Sequence, residues 1–368
     1  MVPIVPDESR TFGMEGMFRQ IGIYAPAGQL YQPQDSAQLM FYKEDQHGQI
    51  LEQGITEAGS MSSFIAAGTS HSNYAVPMIP FYIYYSMFGY QRVGDLVWAA
   101  ADSRTRGFML GGTAGRTTLN GEGLQHEDGH SHVLFSVVPN CRAYDPTFGY
   151  EVAVIIQDGL RRMFAEQEDV FYYVTLMNEN YRHPAMPAGA EDGILRGMYR
   201  LREGGSKRSR KPRVQLLGSG TILNEVLAAA DLLREDWGVE ADVWSVTSFT
   251  QLRREGIEAE RWNMLHPTAD PRQPYVAQQL SDGVPTVAAT DYMRAFADQI
   301  RQWVPGPYRV LGTDGFGRSD TRAALRGFFE VDRHYVAVAA LRELDPARAQ
   351  EAIERYDLNP EAPMPTSV

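Results

Sequence analysis

Arg213-Val214-Gln215-Leu216-Leu217-Gly218-Ser219-Gly220-Thr221-Ile222-Leu223-Asn224-Glu225-Val226-Leu227-Ala228-Ala229-Ala230-Asp231-Leu232-Leu233 reads as a strand, a glycine turn and a helix in immediate succession. The run over 213–217 is short and apolar, and 223–233 repeats apolar side chains at helical spacing. The alternation continues with strands over 242–246, 286–289 and 308–311 and helices over 293–304, 321–329 and 335–344. Such an order predicts a parallel sheet covered by helices. Gly218-Ser219-Gly220 stands where a phosphate could meet the N–H groups of a helix start. Leu223 fills the place of the third glycine of a dinucleotide fingerprint, and no acidic residue plays the ribose-binding role, so the turn reads as structural.

Upstream, the same grammar appears. Residues 78–85, 107–111 and 170–176 read as strands, and 90–101 and 148–164 as amphipathic helices. The two regions meet at Gly204-Gly205-Ser206-Lys207-Arg208-Ser209-Arg210-Lys211-Pro212, whose composition is that of a solvated linker. No aromatic residue is interleaved in its basic run, as a nucleic-acid-binding patch would have. We therefore divide the chain into a domain over 1–205, a basic linker over 206–212 and a domain over 213–368. Two domains also suit a length of 368 residues, at roughly 150 per domain.

A formal charge of −12 argues against a polyanionic partner such as nucleic acid. Cys141 is the single cysteine, so no disulfide framework or zinc–thiolate site is available, and a reducing cytoplasm is the expected location. The first residues lack the basic start and apolar run of a signal peptide, and no stretch approaches the roughly 18 apolar residues of a membrane span. A soluble protein is the expectation.

Three stretches could carry chemistry. Gly121-Glu122-Gly123-Leu124-Gln125-His126-Glu127-Asp128-Gly129-His130-Ser131-His132 gathers three histidines and three carboxylates in a glycine-punctuated loop. These side chains could fix the loop by hydrogen bonds, or transfer protons and bind a substrate carboxylate; a metal cluster ranks behind both. Glu57 precedes the apolar helix over 60–67, where a carboxylate has a plain role in answering the helix dipole. The aromatic run Phe81-Tyr82-Ile83-Tyr84-Tyr85-Ser86-Met87-Phe88 should be mostly core, with only the rings at its end able to stack on a ligand.

Taken together, several long stretches resemble the homodimeric pyruvate dehydrogenase decarboxylating component of bacterial multienzyme complexes. They are Asp7-Glu8-Ser9-Arg10-Thr11-Phe12-Gly13-Met14-Glu15-Gly16, Phe41-Tyr42-Lys43-Glu44-Asp45, Pro77-Met78-Ile79-Pro80 with the aromatic run, and Arg116-Thr117-Thr118-Leu119-Asn120 with the histidine loop. Trp262-Asn263-Met264-Leu265-His266-Pro267 and Leu311-Gly312-Thr313-Asp314-Gly315-Phe316-Gly317-Arg318-Ser319-Asp320 extend the resemblance into the second region. It implies an α/β protein of two three-layer domains with mainly parallel sheets: a thiamine-diphosphate pyrimidine-binding domain followed by a transketolase C-terminal-like domain.

The family's third part, a diphosphate domain that holds magnesium through a Gly-Asp-Gly motif, has no counterpart in this sequence. The resemblance implies thiamine diphosphate as cofactor, with magnesium bound by that other domain and no metal bound here. Glu57 is implied to hydrogen-bond the aminopyrimidine and drive it to its imino tautomer, Phe88 to stack on it, and Ile55 to keep the cofactor bent. Tyr85 and His126 are implied near the substrate, and Asp7 and Glu8 near the active-site entrance. The expected activity is oxidative decarboxylation of pyruvate with transfer of the acetyl group to the lipoyl domain of the acetyltransferase component. It requires a diphosphate-binding domain or chain and a dimer-type association. The alternative is a non-catalytic interaction or dimerisation module of the same complex.

Overall fold

The computed structural model describes residues 1–6, 9–205 and 211–368; Asp7, Glu8 and residues 206–210 of the expected linker lie outside the described residues. Two compact units are present, one formed by Met1–Gly112, Leu134–Arg142 and Gly159–Leu176, the other by Thr113–Val133, Ala143–Asp158 and Met177–Val368.

The first unit carries β1 (Val2–Val5), β2 (Leu51–Glu52), β3 (Pro80–Tyr85), β4 (Phe108–Gly112), β6 (Phe171–Thr175) and, of β5 (Cys141–Tyr144), the residues Cys141 and Arg142. Their order is β2-β1-β3-β4-β6-β5. The recorded pairings are parallel, with Ile4 opposite Tyr82 and Tyr85 opposite Gly112. Helices cover such a sheet, so its inner strands bury both faces, and all of β6 is buried. Helix α1 (Glu57–Gly68) begins where the Thr56 hydroxyl accepts the Gly59 amide at 3.2 Å, an N-cap that sequence order alone suggests. It buries Ser60, Met61, Phe64, Ala67 and Gly68 along one stripe. Helix α2 (Tyr90–Asp102) buries Val93, Val97, Ala100 and Ala101, and packs on α1.

The second unit carries β7 (Tyr199–Arg202), β8 (Arg213–Gly218), β9 (Glu240–Ser245), β10 (Thr286–Ala289) and β11 (Tyr308–Leu311), in the order β11-β10-β8-β9-β7. Every pairing is parallel except that of β7, which runs antiparallel to β9. Alternate residues of the strands feed two separate cores. Val214, Leu216, Val243 and Val287 pack with helices α3 (Leu223–Trp237), α6 (Arg333–Leu344) and α7 (Pro346–Arg355). Leu217, Trp244 and Ala288 pack instead with Phe249 and Leu252 of α4 (Phe249–Leu265) and with Phe296 and Trp303. Two cores on opposite faces of one sheet make three layers. α5 (Arg322–Phe328) completes the unit.

Gly220 bears out the structural reading of its turn: φ is +51°, and an added Cβ would lie 2.9 Å from Asp145 Oδ2. The helix expected over 293–304 is broken into Ala295–Asp298 and a 3-10 turn, Arg301–Trp303. Its opening amides are engaged elsewhere, Met293 N on Gly129 O at 2.7 Å and Arg294 N on Asp314 Oδ2 at 3.1 Å. The helix over 148–164 is α-helical only across Gly149–Leu160 and finishes in a π-turn, Arg161–Ala165.

Candidate active site

In the first unit, β3 delivers Tyr85 at its C-terminal end, the 3-10 turn Ser86–Phe88 turns the chain, and α2 starts at Tyr90. Tyr82 and Tyr84 point into the core and are fully buried, whereas Tyr85 and Phe88 are half-buried, as expected for rings at the end of the run. The rings of Tyr85 and Phe88 meet edge to face at 5.9 Å, and Phe12 lies 5.1 Å from Tyr85 on its other side.

Glu57 opens α1, and its carboxylate faces the start of α2. Arg92 Nη1 donates to Glu57 Oε1 at 2.9 Å, and the same guanidinium lies 3.9 Å over the centroid of the Phe88 ring. One planar, N–H-bearing group therefore satisfies the carboxylate and covers the aromatic face together. That is the demand an aminopyrimidine would make of these residues: a carboxylate against a ring nitrogen and an aromatic face against the ring. Glu57 and Phe88 fit such a group. Ile55 stands just before the Thr56 cap and is 72% exposed. Arg92 escaped the reading of the sequence: Phe88 ends the 3-10 turn and Arg92 lies in the first turn of α2, so helical spacing does not reveal their contact.

In the second unit, the structure separates the three histidines of the glycine-rich loop. His132 is a core residue, stacked on Phe296 at 4.7 Å and edge-on to Tyr292 at 4.8 Å. Its burial pulls the imidazole down to about 3, against an opposing pull from Asp128, so the ring is neutral. His130 Nδ1 lies 3.3 Å from Arg116 Nη2. His126 closes the 3-10 turn Leu124–His126, partly open to solvent, with Nδ1 3.4 Å from Glu122 Oε2. His126 and His130 are both partly exposed, whereas His132 is buried.

The loop bearing His126 is fastened to the 311–320 motif of the same unit. Gly121 N donates to Asp320 O at 3.0 Å, and Arg318 N donates to Glu127 Oε2 at 2.7 Å. Glu127 is fully buried, and its Oε1 has no hydrogen-bond partner among the described residues. Burial pushes this carboxyl up to about 7; the Arg318 amide and the Arg116 charge oppose the shift and the Asp291 charge adds to it. Beneath the loop, Asp291 accepts Thr117 N at 3.0 Å, Thr117 Oγ1 at 2.7 Å and Thr118 Oγ1 at 2.7 Å. Burial raises its pKa too, against the Arg326 charge and these hydrogen bonds. Composition had marked Glu127 as one of three loop carboxylates; its burial depends on a motif nearly two hundred residues away, which spacing does not reveal.

Comparison with known proteins places the chain in a family. The family "Pyruvate dehydrogenase E1 component middle domain" matches residues 1–184, and "Transketolase-like TK C-terminal domain" matches residues 197–332. The pyruvate dehydrogenase E1 component of Cupriavidus necator is 65% identical over 375 residues, covering 100% of this chain and 42% of the relative. That of Escherichia coli strain K12 is 59% identical over 367 residues, covering 98% and 41%. The chain thus spans about two-fifths of the length of these relatives. Among solved structures, transketolase from Leishmania mexicana superposes with a TM-score of 0.65 at 16% identity, over 100% of this chain and 44% of that one. A structure described as split gene transketolase, inactive beta4 tetramer, gives 0.57 at 15% identity, over 90% and 94%. These structural likenesses show the shared fold.

Proposed function

The chain belongs to the family of the pyruvate dehydrogenase E1 component, and on that premise we propose that it supplies the pyrimidine-binding half of a thiamine-diphosphate site for oxidative decarboxylation of pyruvate. The observation that carries the proposal is the joint engagement of Glu57 and Phe88 by one planar group. Bound, thiamine diphosphate supplies the electron sink that a 2-oxo acid needs to lose carbon dioxide. The residues of this chain bind and orient it. Glu57 would hold the pyrimidine ring nitrogen by a hydrogen bond and could exchange a proton there, Phe88 would stack on the ring, and Ile55 would offer an apolar side chain to the cofactor. Tyr85 positions the substrate, and His126 binds the substrate carboxylate or moves a proton at it.

Asp7 and Glu8 are assigned to the active-site entrance. Magnesium and the diphosphate belong to a further domain, because the Gly-Asp-Gly motif that would hold them does not occur in this sequence. We assign a pyrimidine-binding domain to 1–205 and a C-terminal domain to 213–368; family matches over 1–184 and 197–332 support two such domains, with residues 197–205 inside the second match. The partners are a diphosphate-binding domain or chain, a second subunit in a homodimer-type association, and the lipoyl domain that receives the acetyl group. No helix among the described residues is long and apolar enough to cross a membrane; we place the enzyme in the cytoplasm. Preference for pyruvate over 2-oxobutyrate rests on a difference of one methylene, worth about 1 to 3 kcal/mol.

Pyruvate decarboxylation with an artificial electron acceptor, thiamine diphosphate and magnesium tests the proposal, using the chain alone and mixed with the diphosphate domain of the same source. Activity is expected in the mixture and should be lost with Glu57→Gln. An assembled but inactive mixture would refute the catalytic reading in favour of an interaction module.

A further inference from the structure

Arg92 belongs to none of the assigned roles, yet it touches both of the groups that bind the pyrimidine. Its guanidinium donates to Glu57 Oε1 at 2.9 Å and lies 3.9 Å above the Phe88 ring. The side chain is 47% exposed while that of Glu57 is 12% exposed, so the arginine covers the carboxylate from the solvent side. Both contacts use the faces a ligand ring needs. An aminopyrimidine stacked on the Phe88 face that Arg92 covers and bonded to Glu57 Oε1 would take the positions the guanidinium holds, so the two compete there.

We propose that Arg92 is a displaceable stand-in for the pyrimidine ring: it competes for the Glu57 carboxylate and the Phe88 face, and cofactor loading requires it to swing away from both. This rests on the assignment of Glu57 and Phe88 to the pyrimidine. Half-exposed, the Arg92 guanidinium can pass into water, and the donor that replaces it at Glu57 keeps the largely buried carboxylate paired. The long arginine stem anchored on α2 keeps it within reach to return when the cofactor leaves. Competition by a cation makes cofactor affinity sensitive to salt through Arg92 itself.

The measurement is the Kd for thiamine diphosphate, with magnesium, of the chain assembled with its diphosphate domain, read by quenching of protein fluorescence at low and high salt. Arg92→Met keeps the apolar stem and removes the cation; Arg92→Lys keeps the charge and removes the plane. Losing the competing ion pair and ring contact should tighten binding by Arg92→Met about tenfold, with Arg92→Lys between it and the native chain. High salt should narrow the gap between native and Arg92→Met, which a merely structural role would leave unchanged. Cofactor binding that Glu57→Gln weakens while Arg92→Met leaves it equal or weaker would overturn the stand-in and preserve the pyrimidine assignment. Binding indifferent to Glu57→Gln in all variants would overturn both.

Discussion

Raising the pH through neutrality should loosen the His126 loop, and Glu127 supplies the magnitude. Its carboxyl is ordinarily near 4.5 and is pushed up to about 7 where it is buried against the 311–320 motif. A folded-state pKa raised above the unfolded one means that the closed loop holds the proton more tightly than the open one. The contribution is therefore fully present below about 4.5 and is lost as pH rises through about 7. At about 1.36 kcal/mol per unit the total approaches about 3 kcal/mol, of which about 2.5 falls between pH 5 and pH 8. Glu127→Gln keeps an oxygen for the Arg318 amide and has no proton to lose. Hydrogen exchange at the Arg318 amide, corrected for its intrinsic pH dependence, reads the loop directly even where the two units unfold separately. Native and variant should be comparably protected at pH 5, and the native amide should be roughly seventyfold less protected than the variant at pH 8. A ratio flat across that range would refute the assignment of a buried, proton-holding carboxyl to this position.

Two further perturbations probe the same unit. An alanine at Gly317 would bring its Cβ to 2.5 Å from Leu124 O and 3.0 Å from Glu127 Cβ. Backbone cannot step aside cheaply, so Gly317→Ala should cost about 1 to 3 kcal/mol of loop protection by hydrogen exchange, with His126 displaced, while the β8–β9 core stays protected. Glu225 is buried beneath Arg333 and Arg326: Arg333 Nε donates to it at 2.8 Å, Arg333 Nη2 at 3.1 Å and Arg326 Nη1 at 3.4 Å. Burial alone would raise this carboxyl, but the Arg333 hydrogen bonds and both charges outweigh it and hold it below its usual range. The sign is opposite to that of Glu127, since stability is present above the ordinary carboxylate value and disappears as pH falls through the lowered one. Glu225→Gln should cost about 2 kcal/mol in urea denaturation at neutral pH, limited because Arg326 also pairs with Glu179, and the difference should shrink in acid.

Much of the architecture is legible because strand–turn–helix units declare themselves locally. Strands expected over 286–289 and 308–311 occur as Thr286–Ala289 and Tyr308–Leu311, and the run beginning at Arg213 extends one residue to Gly218. Two helices passed unnoticed although their starts were written out. Ser248 is followed three residues later by Gln251, whose amide its hydroxyl accepts at 3.0 Å, and Asp345 caps a helix with Pro346 in its first turn. Strand β1 was hidden for the opposite reason. It contains Pro3, which has no N–H to give, yet it pairs on both sides, with β2 and β3. The chemistry was less legible than the fold. Glu57 read as a helix-dipole carboxylate until family resemblance promoted it. Its partnership with Arg92 exists only because α1 and α2 lie side by side, 35 residues apart in sequence.

Ile55 shows how local backbone can make an exposed apolar side chain meaningful. Isolated exposed apolar residues are ordinary, so 72% exposure assigns nothing by itself. What distinguishes Ile55 is that its backbone is held on both sides. Gly54 takes a φ of +72°, a conformation natural to glycine, Thr56 N donates back to Gly54 O at 2.6 Å, and the Thr56 hydroxyl is committed to the α1 cap. With the backbone so held, the Gly54–Thr56 turn cannot shift without breaking the cap at the start of the helix that Glu57 opens. The cap therefore fixes Ile55 and Glu57 with respect to each other. Gly54, the Thr56 cap and the first turn of α1 thus hold the backbones of Ile55 and Glu57 in one fixed relation, which is what the proposed contacts of both with one ligand require.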